Sequence, residues 1–215
     1  MKYTRLSIGL ALLTHAGCNA TPNTANPAVA EIDSAAASSR PEARWDALAE
    51  GKRWTGYVLN ALDAHGSKLL ASNVSDIAAF CPGYPASDST ARRAFWVGLI
   101  SALAKHESNY NPAAKYEEGF ADSNGKKVIS RGLLQISIES GRGYHCDIPN
   151  DESLHDPNVN LTCAVKILNR LVSRDGILAS NSAPYKGASA YWSPFRDSTK
   201  RLDIRNWTKA QAYCR

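Results

Sequence analysis

A chain of 215 residues, 44% apolar and 21% charged, is neither wholly disordered nor built to lie within a membrane, and its length suits one domain with a sizeable core. The formal net charge is +5. Setting aside Lys2 and Arg5, which lie in a segment with the marks of a cleaved leader, leaves about +3 with no dense basic run. That argues against nucleic acid as a partner and is compatible with a polymer bearing carboxylates, such as a bacterial cell wall.

The chain begins MKYTRLSIGLALLTHAGCNA. Two basic residues precede an apolar run of about a dozen, then small residues and Cys18, a secretory pattern too short for a membrane span. HAGC resembles the bacterial lipobox, whose cysteine is lipidated and becomes the mature N-terminus, although His15 stands where that pattern usually has leucine. The expectation is a signal peptide over 1–17 and a candidate lipid anchor at Cys18. The protein would then be exported to the periplasm or outer membrane of a Gram-negative bacterium. Export changes the meaning of Cys81, Cys146, Cys163 and Cys214, which read as two disulfides with three pairings open. A metal site is not expected, because there is no CxxC and His145–Cys146 lacks partners at ligand spacing. No cofactor is expected either.

Residues 19–40 are Ala, Ser, Pro, Thr and Asn in the main; they cannot bury a core, and 18–40 reads as a flexible tether. A domain over 41–215 follows, with helical patterning from Pro41. Trp45, Leu48, Trp54, Tyr57, Val58, Ala61 and Leu62 step by three and four toward Gly66, which predicts a first helix with Pro41 in its opening turn. The loop CPGYPASDS offers Asp88 or Ser89 as cap for a second helix running to about His106. A further helix is predicted from Asp156 as cap and Pro157 at its start to Gly176 past its end. The one strand signal is KKVIS after the turn-like DSNG. The class is mainly α, one domain, with a small β-ribbon.

The second helix carries the chemistry. Phe95, Leu99 and Leu103 step toward Glu107 by fours, and Trp96 and Ile100 share their face. Glu107 thus continues a buried stripe into the last turn, where desolvation and the carbonyl end of the helix dipole both raise a carboxyl pKa. A carboxylic acid that keeps its proton near neutral pH can protonate a leaving sugar oxygen. Periodicity alone leaves open a second reading, a Glu that bends outward to pair with Lys105 or Arg131.

Three motifs in order bear on the choice: HESNYNP at Glu107, SRGLLQIS at 130–137, and LHDPNVNLTCAVKIL at 154–168. Together they resemble the soluble lytic transglycosylase (SLT-like) branch of the lysozyme superfamily. The resemblance implies a lysozyme-like α fold, Glu107 as catalytic acid/base, and cleavage of the MurNAc–GlcNAc β-1,4 bond in peptidoglycan. In the transglycosylase reaction that it implies, Glu107 protonates the glycosidic oxygen and then takes a proton from the MurNAc 6-hydroxyl, closing a 1,6-anhydro ring. It also implies that Ser130 to Gln135 line the cleft. Ser108 can hydrogen-bond into the cleft, Gly132 permits close approach of backbone to a sugar or a tight turn, and Gln135 can give and accept bonds to acetamido groups or hydroxyls. Leu133 and Leu134 read as core. Asn160 reads as a structural bond or a ligand contact.

Two departures from the family matter. The connection from Glu107 to Gln135 is longer than usual and carries Glu117, Glu118 and Asp122. These read first as solvated loop charges, but a hydrolytic muramidase would use one of them as a second carboxylate to hold a water. The family's closing Ala-Tyr-Asn-x-Gly is here Ala190, Tyr191, Trp192, Ser193. Tyr191 becomes the candidate for orienting Glu107, and Trp192 either a stacking platform for a sugar or a core aromatic. Cys146 follows the second motif and Cys163 lies on the next helix, while Cys81 and Cys214 flank the domain. The predicted pairs are therefore 146–163 and 81–214. The rival functions are a non-catalytic wall-binding lipoprotein and an accessory to an envelope-spanning machine.

Overall fold

The computed structural model describes residues 41–215, all within one compact unit. The expected signal peptide, tether and lipid anchor at Cys18 lie outside the described residues. The predicted first helix begins later than Pro41. Residues 43–50 form a chain of i→i+3 turns (Asp46 N–H to Ala43 O at 3.0 Å, Leu48 N–H to Trp45 O at 2.9 Å), and helix α1 spans Gly51–His65. The cause is Trp45. Its indole N–H donates to Thr55 Oγ1 at 3.0 Å and its ring meets Trp54 edge-on with centroids 5.6 Å apart. That fold-back brings the Trp45 carbonyl to where a side chain at Gly51 would be, 2.2 Å from an added Cβ. Leu48, assigned to the apolar stripe from the sequence, is left exposed.

Short helices α2 (Ser67–Ala71) and α3 (Ile77–Phe80) follow. Helix α4, Ser89–Ser108, starts where Asp88 accepts from Ala91 N–H at 2.8 Å and stops at Asn109 in the left-handed region. Every residue from Ala94 to Ala104 is buried. The helix is thus a central one, apolar all round, and the stripe toward Glu107 is one sector of it. Helices α1 and α2 pack on α4 along with the C-terminal elements. Trp96 is fixed by an indole bond to the Tyr84 hydroxyl at 2.9 Å.

Strands β1 (Lys115–Ala121), β2 (Lys127–Arg131) and β3 (Ile136–Ser137) make an antiparallel sheet in that order. The expected ribbon is therefore larger than KKVIS alone. Tyr116 pairs with Ser130 and Glu117 with Ile129, and the register shifts between Glu117 and Ala121. Helix α5 (Ile138–Gly143) leads to α6, Pro157–Asp175, which has Asp156 as cap and Gly176 at φ 64° beyond its end. Helix α6 packs chiefly on α1. The sequence reading stopped short of a last helix, α7 (Ser198–Ala210), capped by Asp197 and packed on α4 and α3.

Cysteines pair as 146–163 and 81–214. The first bridge ties the turn after α5 to α6, and the second ties the end of α3 to the C-terminus. In the chain-entropy view such closures stabilise by about 3 and roughly 5 kcal/mol.

Candidate active site

Where α4 ends it emerges beneath the β-sheet, and a cleft of about 350 Å³ opens there. Glu107 forms its floor, on the last turn of α4. One face of the β1–β2 hairpin forms a wall: Glu118 and Phe120 alternate on β1, and Val128 and Ser130 alternate on β2. Ser137, Ser140, Gln135, Arg196 and the 190–193 segment, with Tyr191 and Trp192, complete the lining.

Burial pushes the Glu107 carboxyl up to about 8. The Glu118 charge reinforces this, and Lys200 and Arg196 oppose it. The carbonyl end of α4 works in the same direction as burial. Neither expected surface partner takes Glu107. Lys105 lies over the Tyr110 ring, 5.7 Å from its centroid, and Arg131 donates to Asp151 at 2.7 Å and to Ile129 O at 2.9 Å. Glu107 is half-buried by solvent exposure, and with no cation paired to it desolvation outweighs the opposing charges, so the carboxyl keeps its proton through neutral pH.

The loop acids separate. Glu117 faces Lys127 on the surface at 3.9 Å. Asp122 shapes the β1–β2 turn, accepting from Asn124 N–H at 2.8 Å and Lys126 N–H at 2.9 Å. Only Glu118 of the three lines the cleft, where one carboxylate oxygen accepts from Ser130 Oγ at 2.6 Å. Glu118 lies within the stretch between Glu117 and Ala121 where the register shifts, a usual device for re-aiming a side chain beside a site. The solvated-loop reading is thus corrected for Glu118 and holds for the other two.

Several predicted cleft residues sit elsewhere or are otherwise engaged. Ser108 Oγ donates to Leu133 O at 3.0 Å and Ala104 O at 3.3 Å, so it fastens α4 to the 130–135 segment and does not line the cleft. Gly132, at φ 76°, would place a Cβ 2.2 Å from Leu154 O and 2.4 Å from Asn160 Nδ2. Its close approach is to the protein's own backbone and not to a sugar. Asn160 is fully buried. Its Oδ1 accepts from Leu134 N–H, and its Nδ2 donates to Arg131 O and Leu154 O, each at 2.9 Å. Between Ser130 and Gln135, residues Arg131 to Leu134 are all buried, so the segment meets the cleft at its two ends only. Gln135 spends its amide donor on Gly132 O at 2.9 Å and Ala114 O at 3.3 Å, which leaves its oxygen as the group free for a ligand.

Trp192 is 1% exposed and donates to Leu134 O at 2.9 Å. It is a core aromatic whose buried ring backs the cleft wall, with too little exposed face for the stacking role. The aromatic presented to solvent at the cleft edge is Phe120, 61% exposed. Tyr191 does line the cleft. Burial pushes its hydroxyl up to about 12, with the Ser140 side chain and Ser137 backbone hydrogen-bonded to it. It stands near enough to Glu107 to feel its charge, but its bonds go to the serines. Sequence reasoning missed Phe120, Arg196 and Lys200. The cue for the last two was available: Asp197, then Ile204 and Thr208 one turn apart, announce a capped helix.

The description "Transglycosylase SLT domain" matches residues 85–210 of this chain. Among solved structures, a wild-type form of Bd0314 DslA is 42% identical, with a TM-score of 0.78, covering 82% of this chain and 99% of that one. Two glutamate-to-glutamine mutants of the same protein, each 41% identical, superpose equally well at 0.78. Their two substituted positions are eleven residues apart. Among curated proteins none matches.

Proposed function

The chain belongs to the transglycosylase SLT domain family, and on that premise we propose that it cleaves the MurNAc–GlcNAc β-1,4 bond of peptidoglycan glycan strands, with Glu107 as the acid. A carboxyl held up to about 8 by burial is protonated at neutral pH and can donate to the glycosidic oxygen as positive charge develops at the MurNAc anomeric carbon.

The observation that carries our reading of the second half of the reaction is the place of Glu118. A one-carboxylate enzyme would have the MurNAc 6-hydroxyl attack, giving the 1,6-anhydro end that the family resemblance implies. Here a second carboxylate shares the cleft with Glu107, with one oxygen on Ser130 and the other available to a water. We therefore read the reaction as hydrolysis. Glu107 protonates the leaving oxygen, Glu118 takes a proton from water, and that water bonds to the anomeric carbon. Glu107 and Glu118 are eleven residues apart, the spacing of the two glutamates replaced in Bd0314 DslA, which supports the pairing. The leader pattern, Cys18 and the two disulfides support placing the enzyme outside the cytoplasm, in contact with the wall.

Mass spectrometry of fragments released from purified sacculi tests this reading. Reducing MurNAc ends are the expected product. Anhydro ends, each lighter by one water, would return the single-carboxylate mechanism. No release of fragments would favour a wall-binding role.

A further inference from the structure

On the far side of Tyr191 from the cleft lies a second concavity, a basin of about 540 Å³ between the end of α1, the start of α2, the turn after α5 and the outer face of α6. Lys166, Arg170 and Arg174 line it at four-residue steps on α6, and Lys68, His65 and His145 face them. No Asp or Glu lines it. Asp175, next to Arg174 in the chain, is already committed to Arg174 at 2.7 Å and to Gly187 N–H at 2.7 Å. Lys166 Nζ donates to His145 O at 2.9 Å and keeps two protons free. Lys68 and Arg170 are exposed and have no acidic partner among the described residues. Such an array of cations is self-repulsive and favours an anion bearing several charges.

The basin adjoins the cleft. Tyr144 lines the basin, Tyr191 lines the cleft, and their rings meet edge-on with centroids 6.0 Å apart. Arg170 and Arg174 line the basin together with Tyr144, so both guanidinium groups share the basin with the ring that meets Tyr191. A glycan strand in the cleft carries a peptide on each MurNAc, and those peptides bear the carboxylates of the polymer.

We propose that this basin binds the carboxylates of the peptide stem on the strand being cut, so that the enzyme reads peptide-bearing glycan across two adjoining sites. The proposal rests on the reading of the cleft as a peptidoglycan-cleaving site. Its test compares wild type with the double variant Lys68→Glu/Arg170→Glu, neither residue lying in the cleft, on intact sacculi and on glycan strands freed of peptide by an amidase. The expected result is a loss of tenfold or more in kcat/KM on sacculi with less than twofold change on bare strands. The wild-type preference for sacculi should fade at about 0.5 M salt, where screening reaches within a few ångströms. An equal loss on both substrates, or no loss on sacculi, overturns the proposal. So does a defect confined to binding of phosphatidylglycerol vesicles, which would make the basin a lipid-facing surface. If wild type cuts neither substrate, the reading of the cleft fails, and calorimetry with a free stem tetrapeptide still decides the basin. Binding that the double variant loses supports it, and no binding by either protein overturns it.

Discussion

Ser130 Oγ reaches the Glu118 carboxylate at 2.6 Å, across the two strands of the hairpin that walls the cleft. Ser130 itself is held by the 131–134 segment, which Asn160 pins to α6 through two bonds. The second carboxylate is thus positioned through a chain of bonds that ends in the core. The first, Glu107, is positioned by the central helix. Two rigid elements each supply one acid, and the cleft is the space between them.

As the proposed acid, Glu107 should set the upper pH limit of activity. Its proton is present below about 8 and lost above it, so kcat/KM should be level toward neutrality on this limb and fall about tenfold per pH unit above 8. Glu107→Gln should retain the fold and lose nearly all cleavage at every pH, because an amide has no acidic proton to give. A folded Glu107→Gln that clears peptidoglycan at a tenth of the wild-type rate would remove Glu107 from the mechanism.

The same carboxyl costs stability in a defined window. Its folded pKa lies above its unfolded one, so the folded state holds the extra proton and stability falls as pH rises from about 4.5 to about 8. Above 8 the full cost of a buried charge is present. Glu107→Gln should therefore melt higher than wild type at pH 9, by on the order of 2 kcal/mol or about 4–8 °C. That advantage should shrink toward pH 4, where both forms are neutral. Thermal melts at the two pH values check this, and an advantage that stays constant with pH would show that Glu107 is not desolvated.

The helices were legible where capping chemistry and periodicity agreed. Asp88, Asp156 and Gly176 sit at the ends that their residue types announce, and nested pairing of four cysteines needs little more than their order. Legibility failed where a tertiary contact overrode a local pattern. Trp45 reaching Thr55 breaks a helix that periodicity would start at Pro41. Strand β1 escaped notice because its side chains are exposed or half-buried and Gly119 interrupts it, so KYEEGFA reads as loop. In the site, residue identity showed that Glu107 was special. It could not show that Gly132 and Ser108 face inward, or that Phe120 is exposed at the cleft edge while Trp192 is buried in its wall. Those depend on which side of a segment the core lies.

Phe120 and Trp192 should behave oppositely when mutated. Phe120 offers an exposed ring at the cleft edge, suited to the apolar face of a sugar. Phe120→Ala should raise KM about fivefold, the equivalent of about 1 kcal/mol, with kcat and melting temperature little changed. Trp192→Phe removes the bond to Leu134 O in a buried setting, which should cost about 1–3 kcal/mol of stability and leave KM near the wild-type value. Steady-state kinetics with a defined glycan oligomer and thermal melts separate the two. A large KM effect from Trp192→Phe with unchanged stability would restore it as a sugar platform.

Glu118 carries the choice between water and the MurNAc 6-hydroxyl as attacking group. If its carboxylate takes the proton from water, Glu118→Gln should lose at least a hundredfold in kcat, about 2.7 kcal/mol of barrier. It should leave the fold intact, because Gln can still accept from Ser130. Ser130→Ala should lose less, since it loosens Glu118 without removing the base. Glu117→Ala and Asp122→Ala should keep at least a tenth of the activity, their side chains being occupied at the surface and in the turn. The intramolecular rival needs no second carboxylate and gains from the high effective molarity of a hydroxyl already on the same sugar. Under that mechanism Glu118→Gln should keep more than a tenth of the rate, and the fragments from both proteins should end in anhydro rings. Kinetics and product masses measured on the same digests therefore decide together. A hundredfold loss with reducing ends from wild type assigns the water to Glu118, while near-normal turnover with anhydro ends leaves Glu107 as the sole acid and base.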